Sequence, residues 1–291
     1  MAFKQILMTG ANGMLGAELA PYLSVKGYEV TATDSRTLNL LGPEHEILSV
    51  VKTVQPQLII NAAAYTNVDQ SELNPELAMA INKDGVRKLA EAARAVGAIL
   101  IHISTDFVFD GSLGRAYTVQ DKPNPVNHYG LSKYYGEMVL SELMDEYYII
   151  RTSWLYGINR NNFVQFVLES ARQGREIKIA NDLYGTPTWI GSLCGAIESI
   201  MTSGAFGLHH ASDAGIVSRY EQAVAVCKGA GLSDACIQPV SFSELPMPAC
   251  RPKYTPLDCG TLVIPNWQTT FQAYLSQYCQ VNGLVPVSSH A

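Results

Sequence analysis

No stretch of this 291-residue sequence reaches the roughly 20 consecutive apolar residues that a membrane helix needs. There is no run of Lys or Arg, and 26 acidic residues outnumber 20 basic ones, for a net charge of −6. These absences argue against a protein that coats nucleic acid or lies on an anionic membrane surface. The six cysteines, at positions 194, 227, 236, 250, 259 and 279, form no C-x-x-C pair and match no zinc spacing. With 47% hydrophobic residues the chain can bury a sizeable core without disulfide staples. Reduced thiols and a cytoplasmic location are therefore expected, because the first residues read as a strand entering a Gly-rich turn and not as a secretory signal. Gly (23) and Pro (14) are at ordinary usage, which excludes low-complexity classes.

What is there is an alternation of strand and helix signals. Apolar runs predict strands at Gln5–Thr9, Tyr28–Thr33, Gln57–Ile60, Ala98–Ser104 and Tyr147–Thr152. Helical spacing predicts helices over Asn12–Lys26, Pro43–Val54, Pro75–Val96 and Val126–Asp145. Strands separated by helices of this length mean βαβ units and a parallel sheet. Past Trp154 the rhythm loosens, with helices expected at Asn162–Gln173, Ile190–Thr202 and Trp267–Tyr278. Ser241–Leu257 reads as a Pro-rich loop and Val285–Ala291 as a frayed tail. The expected fold is α/β, a Rossmann-type doubly wound parallel sheet with a smaller, irregular C-terminal part. The expected division is 1–153 for a dinucleotide and 154–291 for a substrate, with the chain free to cross between them.

Gly10, Gly13 and Gly16 lie between the first strand and the first helix. There Gly10 permits a tight turn, Gly13 lets backbone approach a pyrophosphate at the helix N-terminus, and Gly16 packs helix on strand. The spacing is G-x-x-G-x-x-G, so the position in the βαβ run carries the dinucleotide reading more than the glycines themselves. Asp34 at the end of the second strand suits a ribose 2′-hydroxyl, and Arg36 a 2′-phosphate, so NADH and NADPH both stay open.

Tyr129 and Lys133 stand four residues apart and so share a helix face. A cation near a phenol favours its ionised form and tunes it to pass a proton to a ketone oxygen. The pair follows Ser104, Thr105 and Asp106 at the C-terminal end of the fourth strand, where open α/β sheets bind ligands. A hydroxyl from Ser104 or Thr105 would hold the substrate oxygen. Asn82 on the preceding helix is a candidate for bonding backbone and seating a water.

Longer motifs then stand out: Asn61–Glu72 (NAAAYTNVDQSE), Ser104–Gly111 (STDFVFDG), Arg151–Gly157 (RTSWLYG), Asn161–Phe163, Tyr184–Thr188 (YGTPT) and Arg251–Tyr254 (RPKY). With the glycine turn and the Tyr–Lys pair, they resemble the extended short-chain dehydrogenases/reductases. Within these the sequence is most similar to the dTDP-4-dehydrorhamnose reductase family, from the first strand to about Leu275. The resemblance implies that NAD(P)H delivers hydride to C4 of a dTDP-linked 6-deoxy-4-keto sugar. Tyr129 would donate the proton, Lys133 would hold the nicotinamide ribose, and Thr105 would bond the keto oxygen. Asn12, Met14, Leu15, Asn39, Leu40, Ala62, Ala63, Ala64 and Tyr65 would join the glycines and Asp34 around the cofactor. Asp106, Trp154 and Arg251 would approach the sugar nucleotide.

Several positions depart from that family pattern. Asp182-Leu183 replaces Asp-Gln, and Asn39-Leu40 replaces Asp-Ile. Gly191 falls where some members carry a metal-binding glutamate, so no metal site is expected. Ala211–Arg219 lacks the usual aromatic. These departures leave a reductase of another deoxysugar as an alternative. An epimerase or dehydratase is disfavoured by Phe107 where a dehydratase has Glu. A non-catalytic subunit resembling the partner of methionine adenosyltransferase is the third reading. The expected partner is a small nucleotide sugar, not nucleic acid or membrane, with a homodimer as the candidate assembly.

Overall fold

The computed structural model describes residues 3–282; the expected tail at Val285–Ala291 lies outside them. Strand β1 (Gln5–Thr9), helix α1 (Gly16–Val25), strand β2 (Glu29–Ala32), helix α2 (Glu44–Val54) and strand β3 (Leu58–Asn61) open the chain. Strands β4 (Ile99–Thr105) and β5 (Tyr147–Thr152) follow, separated by the His128–Leu143 helix. All pairings in the six-stranded sheet are parallel, in the order Gly207–His210, β5, β4, β3, β1, β2. The chain runs outward from β1 to β2 and then returns to β3 on the other side. Such a reversal opens a crevice at the carboxyl ends of the two central strands, here at Thr9 and Asn61.

Both faces of the sheet are covered, which explains why β3 reads as an unbroken apolar run ending in Asn61. On one face Leu15, Leu19 and Leu23 of the α1 region pack with Ile190, Leu193, Ile197 and Ile200 of the Ile190–Ser203 helix. On the other, Ile47 and Val51 of α2 meet Val86, Leu89 and Ala93 of the Gly85–Val96 helix. A separate core joins the Phe163–Arg172, Arg219–Gly229 and Trp267–Val281 helices through Val164, Leu168, Val226, Phe271 and Tyr274.

Two features differ from the sequence reading. The Pro75–Val96 segment is helical throughout, but Ala80–Asp84 is a π-helical turn between Pro75–Met79 and Gly85–Val96. Such single wide turns re-aim side chains and often mark functional sites; this one carries Asn82. The sheet also takes its sixth strand from Gly207–His210, and its α1 face is completed by Ile190–Ser203. The six-stranded sheet and its helical cover thus draw on residues past 153.

The His128–Leu143 helix starts where Asn127 Oδ1 accepts from Gly130 N at 2.8 Å, two residues later than the spacing predicts. Its inner face carries the buried Glu137, whose carboxylate receives Arg151 Nε at 2.9 Å and Nη2 at 2.5 Å. Ser104 Oγ donates to the same carboxylate at 2.5 Å. Helix, β4 and β5 are thereby tied by one buried ion pair. Removing one partner of such a pair leaves an uncompensated charge and costs about 3–5 kcal/mol. Glu137→Ala is expected to lose that much in urea unfolding, and a loss below about 1 kcal/mol would show that the pair does not hold the layers.

Candidate active site

A cleft of about 990 Å³ lies at the carboxyl ends of the central strands. At one end sits the glycine turn. Gly10 has φ +72°, and a Cβ there would fall 2.5 Å from Ala63 N. A Cβ on Gly16 would overlap the Gly10 carbonyl and lie 2.7 Å from Ala11 Cα. Gly13 is different: its Cβ would meet only Gly10 O, at 3.0 Å. Gly10 and Gly16 thus serve the fold, and Gly13 leaves backbone open to the cleft. The N–H groups of Asn12, Met14 and Leu15 have no backbone partner among the described residues, and all three residues line the cleft. Unpaired N–H groups before a helix N-terminus fit a pyrophosphate. Ala62, Ala63 and Ala64 form the facing wall with side chains too small to block it.

Asp34 also lines the cleft, with both carboxylate oxygens in use. Oδ2 accepts from Asn12 Nδ2 at 2.7 Å and from Arg36 Nη2 at 2.8 Å, while Oδ1 accepts from Arg36 N at 3.0 Å. Arg36 is the main cause that pulls the Asp34 carboxyl down to about 2. The two residues read as rivals in the sequence are partners in the structure. Asn39 and Leu40 line the same end, on a loop held by Lys88 Nζ donating to the carbonyls of Leu40 (3.1 Å) and Gly42 (2.7 Å).

Thr105, Tyr129 and Lys133 all line the cleft. Thr105 Oγ1 donates to Asp106 Oδ1 at 3.2 Å, and Phe107 N donates to Thr105 Oγ1 at 3.2 Å. Ser104, the other hydroxyl weighed for the substrate oxygen, is spent on Glu137. Tyr129 differs from expectation in its electrostatics. Burial pushes its phenol up to about 12, against the Thr105 hydroxyl and with the Asp106 charge adding to the rise. Lys133 does not lower it, because Nζ turns away to Ile103 O at 2.6 Å and His102 Nε2 at 3.1 Å. Burial pulls Lys133 down to about 7, against the charge of Glu137.

At the far end, Asp106 is 2% exposed and accepts from Thr255 Oγ1 at 2.6 Å. Burial pushes its carboxyl up to about 6, although Thr255 and the charge of Arg219 oppose the rise. Trp154 has φ +45°, a left-handed conformation rare for a bulky residue and a mark of functional strain. Its indole lies on Gly185, where a Cβ would come within 2.5 Å of Cε2. The guanidinium of Arg219 lies 3.5 Å from the indole centroid and 4.9 Å from that of Phe163. Arg219 lines the cleft and was missed in the sequence, where only an absent aromatic marked its segment. Ser218 and Glu221 form a capping box that signals the helix carrying it.

Two expected residues do not line the cleft. Arg251 donates to Asp69 Oδ1 (2.6 Å) and Oδ2 (2.8 Å), so its guanidinium pins the Pro-rich loop to the Val68–Leu73 helix. Tyr65 is held by its backbone, with N–H donating to Asn82 Oδ1 at 2.8 Å and C=O accepting from Asn82 Nδ2 at 3.0 Å. Asn82 gives its remaining N–H to Ser132 Oγ at 2.9 Å, so both donors of its amide are used and its side chain shapes the loop. Leu183, 8% exposed, is a core residue.

A family model described as the RmlD substrate binding domain matches residues 4–280. The dTDP-4-dehydrorhamnose reductase of Streptomyces griseus is 38% identical over 258 residues, 87% of this chain and 84% of its own. A spore coat polysaccharide biosynthesis protein of Bacillus subtilis is 34% identical, covering 94% and 97%. The crystal structure of dTDP-4-dehydrorhamnose reductase from Bacillus anthracis in complex with NADP superposes with a TM-score of 0.91 at 35% identity, covering 94% and 99%. Fold and site define an NAD(P)H-dependent oxidoreductase of the extended short-chain dehydrogenase/reductase class. The glycine turn, the small alanine wall and the Tyr–Lys pair stand together in one cleft. The chain belongs to the dTDP-4-dehydrorhamnose reductase family.

Two predictions follow from the cofactor end. Gly13→Val should fold, since it meets only one carbonyl, and lose NADPH binding by calorimetry, whereas Gly16→Val should lose stability instead. Equal NADPH affinity in folded Gly13→Val would remove the turn from the pyrophosphate site. Asp34→Ala frees Arg36 and removes a negative charge from the ribose end. The ratio of kcat/KM with NADPH to that with NADH should therefore rise; an unchanged ratio would place the ribose elsewhere.

Proposed function

We propose that the chain reduces the C4 ketone of a dTDP-linked 6-deoxy-4-keto sugar, dTDP-4-dehydro-L-rhamnose, to give dTDP-L-rhamnose. The observation that carries this reading is the meeting of Thr105, Tyr129 and Lys133 at the end of β4, in the same cleft as the glycine turn. NAD(P)H supplies the hydride when bound. Tyr129 keeps its proton throughout the neutral range, because its phenol is pushed up to about 12, and gives it to the ketone oxygen as that oxygen gains charge. Thr105 turns its hydroxyl to the same oxygen and holds it in line with the phenol. Lys133 donates to the nicotinamide ribose hydroxyls.

Trp154 presents its indole to the sugar ring. Arg219 is the candidate for the substrate diphosphate: stacked on an aromatic face, it donates Nη1 to Gln222 Oε1 at 3.1 Å and keeps its other N–H groups for phosphate oxygens. Burial lowers Arg219 to about 9, which still leaves it cationic at neutral pH. Asp106 accepts from a sugar hydroxyl and is ionised above its value of about 6.

A second reading keeps the reaction and changes the sugar. A dTDP-4-keto-6-deoxy-D-glucose reductase of Streptomyces niveus is 32% identical over 270 residues. The observation that favours it here is Arg219, a cation in the segment Ala211–Arg219 that lacks the aromatic usual in the family. The substrate in either case is a nucleotide sugar, and among the described residues no helix is long and apolar enough to cross a membrane. A homodimer remains the proposed assembly.

General acid catalysis contributes roughly 10² to 10⁴ in rate, so Tyr129→Phe is expected to lower kcat by that factor with NADPH affinity little changed. The assay is NADPH oxidation with a dTDP-4-keto-6-deoxy sugar generated in place by a dehydratase and an epimerase. A full-rate Tyr129→Phe enzyme would put the proton donor elsewhere.

A further inference from the structure

Behind the helix that carries Tyr129, three buried side chains have a hydrogen-bond count that closes in one way. Asn61 Oδ1 accepts from Thr9 Oγ1 at 2.7 Å and from Ala63 N at 3.2 Å. A backbone N–H can only donate, so the Asn61 amide is oriented, and its Nδ2 points at His102 Nδ1, 3.1 Å away. Nδ1 must therefore accept. A neutral imidazole has a single N–H, which then sits on Nε2, and Nε2 lies 3.1 Å from Lys133 Nζ. His102 is fully buried, and that burial, with Lys133 beside it, holds its pKa well below the usual value. Its neutral form is the one present. An ammonium has three donors and no acceptor, whereas an amine can accept. At this position Lys133 is the neutral amine, receiving Nε2–H and donating to Ile103 O at 2.6 Å.

We propose that His102 is the seat of the uncharged Lys133 amine, that a proton taken up by Lys133 drives it off this seat into the cleft, and that NADPH binding is thereby coupled to proton uptake. The ammonium cannot remain, because Nε2–H would face N–H. In the cleft its three donors suit the ribose hydroxyls. The proton comes from solvent, and no bond other than N–H changes. The inference rests on the proposed placement of Lys133 at the nicotinamide ribose, and His102 is in these terms a positioning residue that acts through Lys133.

The surrounding charges favour this arrangement. On the same helix, Glu137 lies one turn on, but its carboxylate is committed to Ser104 and to Arg151 of β5. Tyr129, one turn before, is an uncharged phenol. From β3 the neighbour is the neutral amide of Asn61. Asp106, past the end of β4, is held by Thr105 and Thr255. No free carboxylate is therefore at hand to keep a charged Lys133 on the His102 side. Burial accordingly brings Lys133 down to about 7, so the amine predominates above that pH and the ammonium below it.

The test is calorimetry of NADPH binding in two buffers of different ionisation enthalpy, with no sugar present. At pH 8 the 2′-phosphate is a dianion throughout, since its second pKa is about 6. The wild-type protein is expected to take up about one proton per site at pH 8 and much less at pH 6, where Lys133 is already charged. Lys133→Met should take up none. His102→Gln should keep the uptake, because Asn61 turns the Gln oxygen toward itself and leaves an N–H facing Nζ. His102→Glu should abolish it, because a carboxylate holds the ammonium in place from the start. No uptake by the wild-type protein, uptake that survives in Lys133→Met, or the same proton count in His102→Glu as in the wild type would each overturn the proposal. Should His102→Glu fail to fold, Lys133→Met and His102→Gln still decide it. Absence of sugar turnover would count against the proposed reaction and leave these proton counts untouched.

Discussion

A helix that buries a lysine and a glutamate one turn apart must find partners for both, and the rest of the structure follows from how it does so. Lys133 is 2% exposed and Glu137 4%. Unpaired, either group would cost several kcal/mol. Both are satisfied by the edge groups of two strands: Lys133 by Ile103 O and His102 of β4, Glu137 by Ser104 of β4 and Arg151 of β5. These partners fix the height and rotation of the helix against the sheet. Tyr129, one turn before Lys133, then falls beside Thr105 where β4 ends. The same groups that hold the fold thus aim the proposed proton donor.

Where one physical signal dominates, the sequence is legible. The apolar runs of β1, β3, β4 and β5 lie in a sheet covered on both faces, so composition alone finds them, and β5 falls at its expected bounds. Glycines that backbone atoms crowd, such as Gly10 and Gly16, mark the cofactor turn. The sixth strand is not legible, because Gly207–His210 reads GLHH and pairs on one side only, with β5. The π-helical turn leaves no mark on the apolar stripe of its segment. Arg251 and Tyr65 read as site residues because their motif matched; in the structure the Arg251 guanidinium pairs with Asp69 and the Tyr65 backbone with Asn82. A motif names a residue; only the partners in space decide whether its polar group is free.

The two ends of the cleft differ in how their charges are met. At one end Asp34 and Arg36 neutralise each other, which suits the proposed seat of a ribose carrying either a 2′-hydroxyl or a 2′-phosphate. At the other end Asp106 and Arg219 are both drawn from water, and each moderates the other's shift. The Trp154 indole packs against Gly185 and carries the guanidinium of Arg219 over its ring. In the proposed reading that stack faces the nucleotide sugar.

The central claim is that hydride passes from the cofactor at the glycine turn to the sugar C4 held at Thr105 and Tyr129. The most direct measurement uses NADPH deuterated on the transferring face of its nicotinamide C4, with the product sugar nucleotide examined by NMR. The account predicts deuterium at C4 of the product sugar and nowhere else on it. Product formed with hydrogen at C4, or with deuterium at any other carbon, would contradict it.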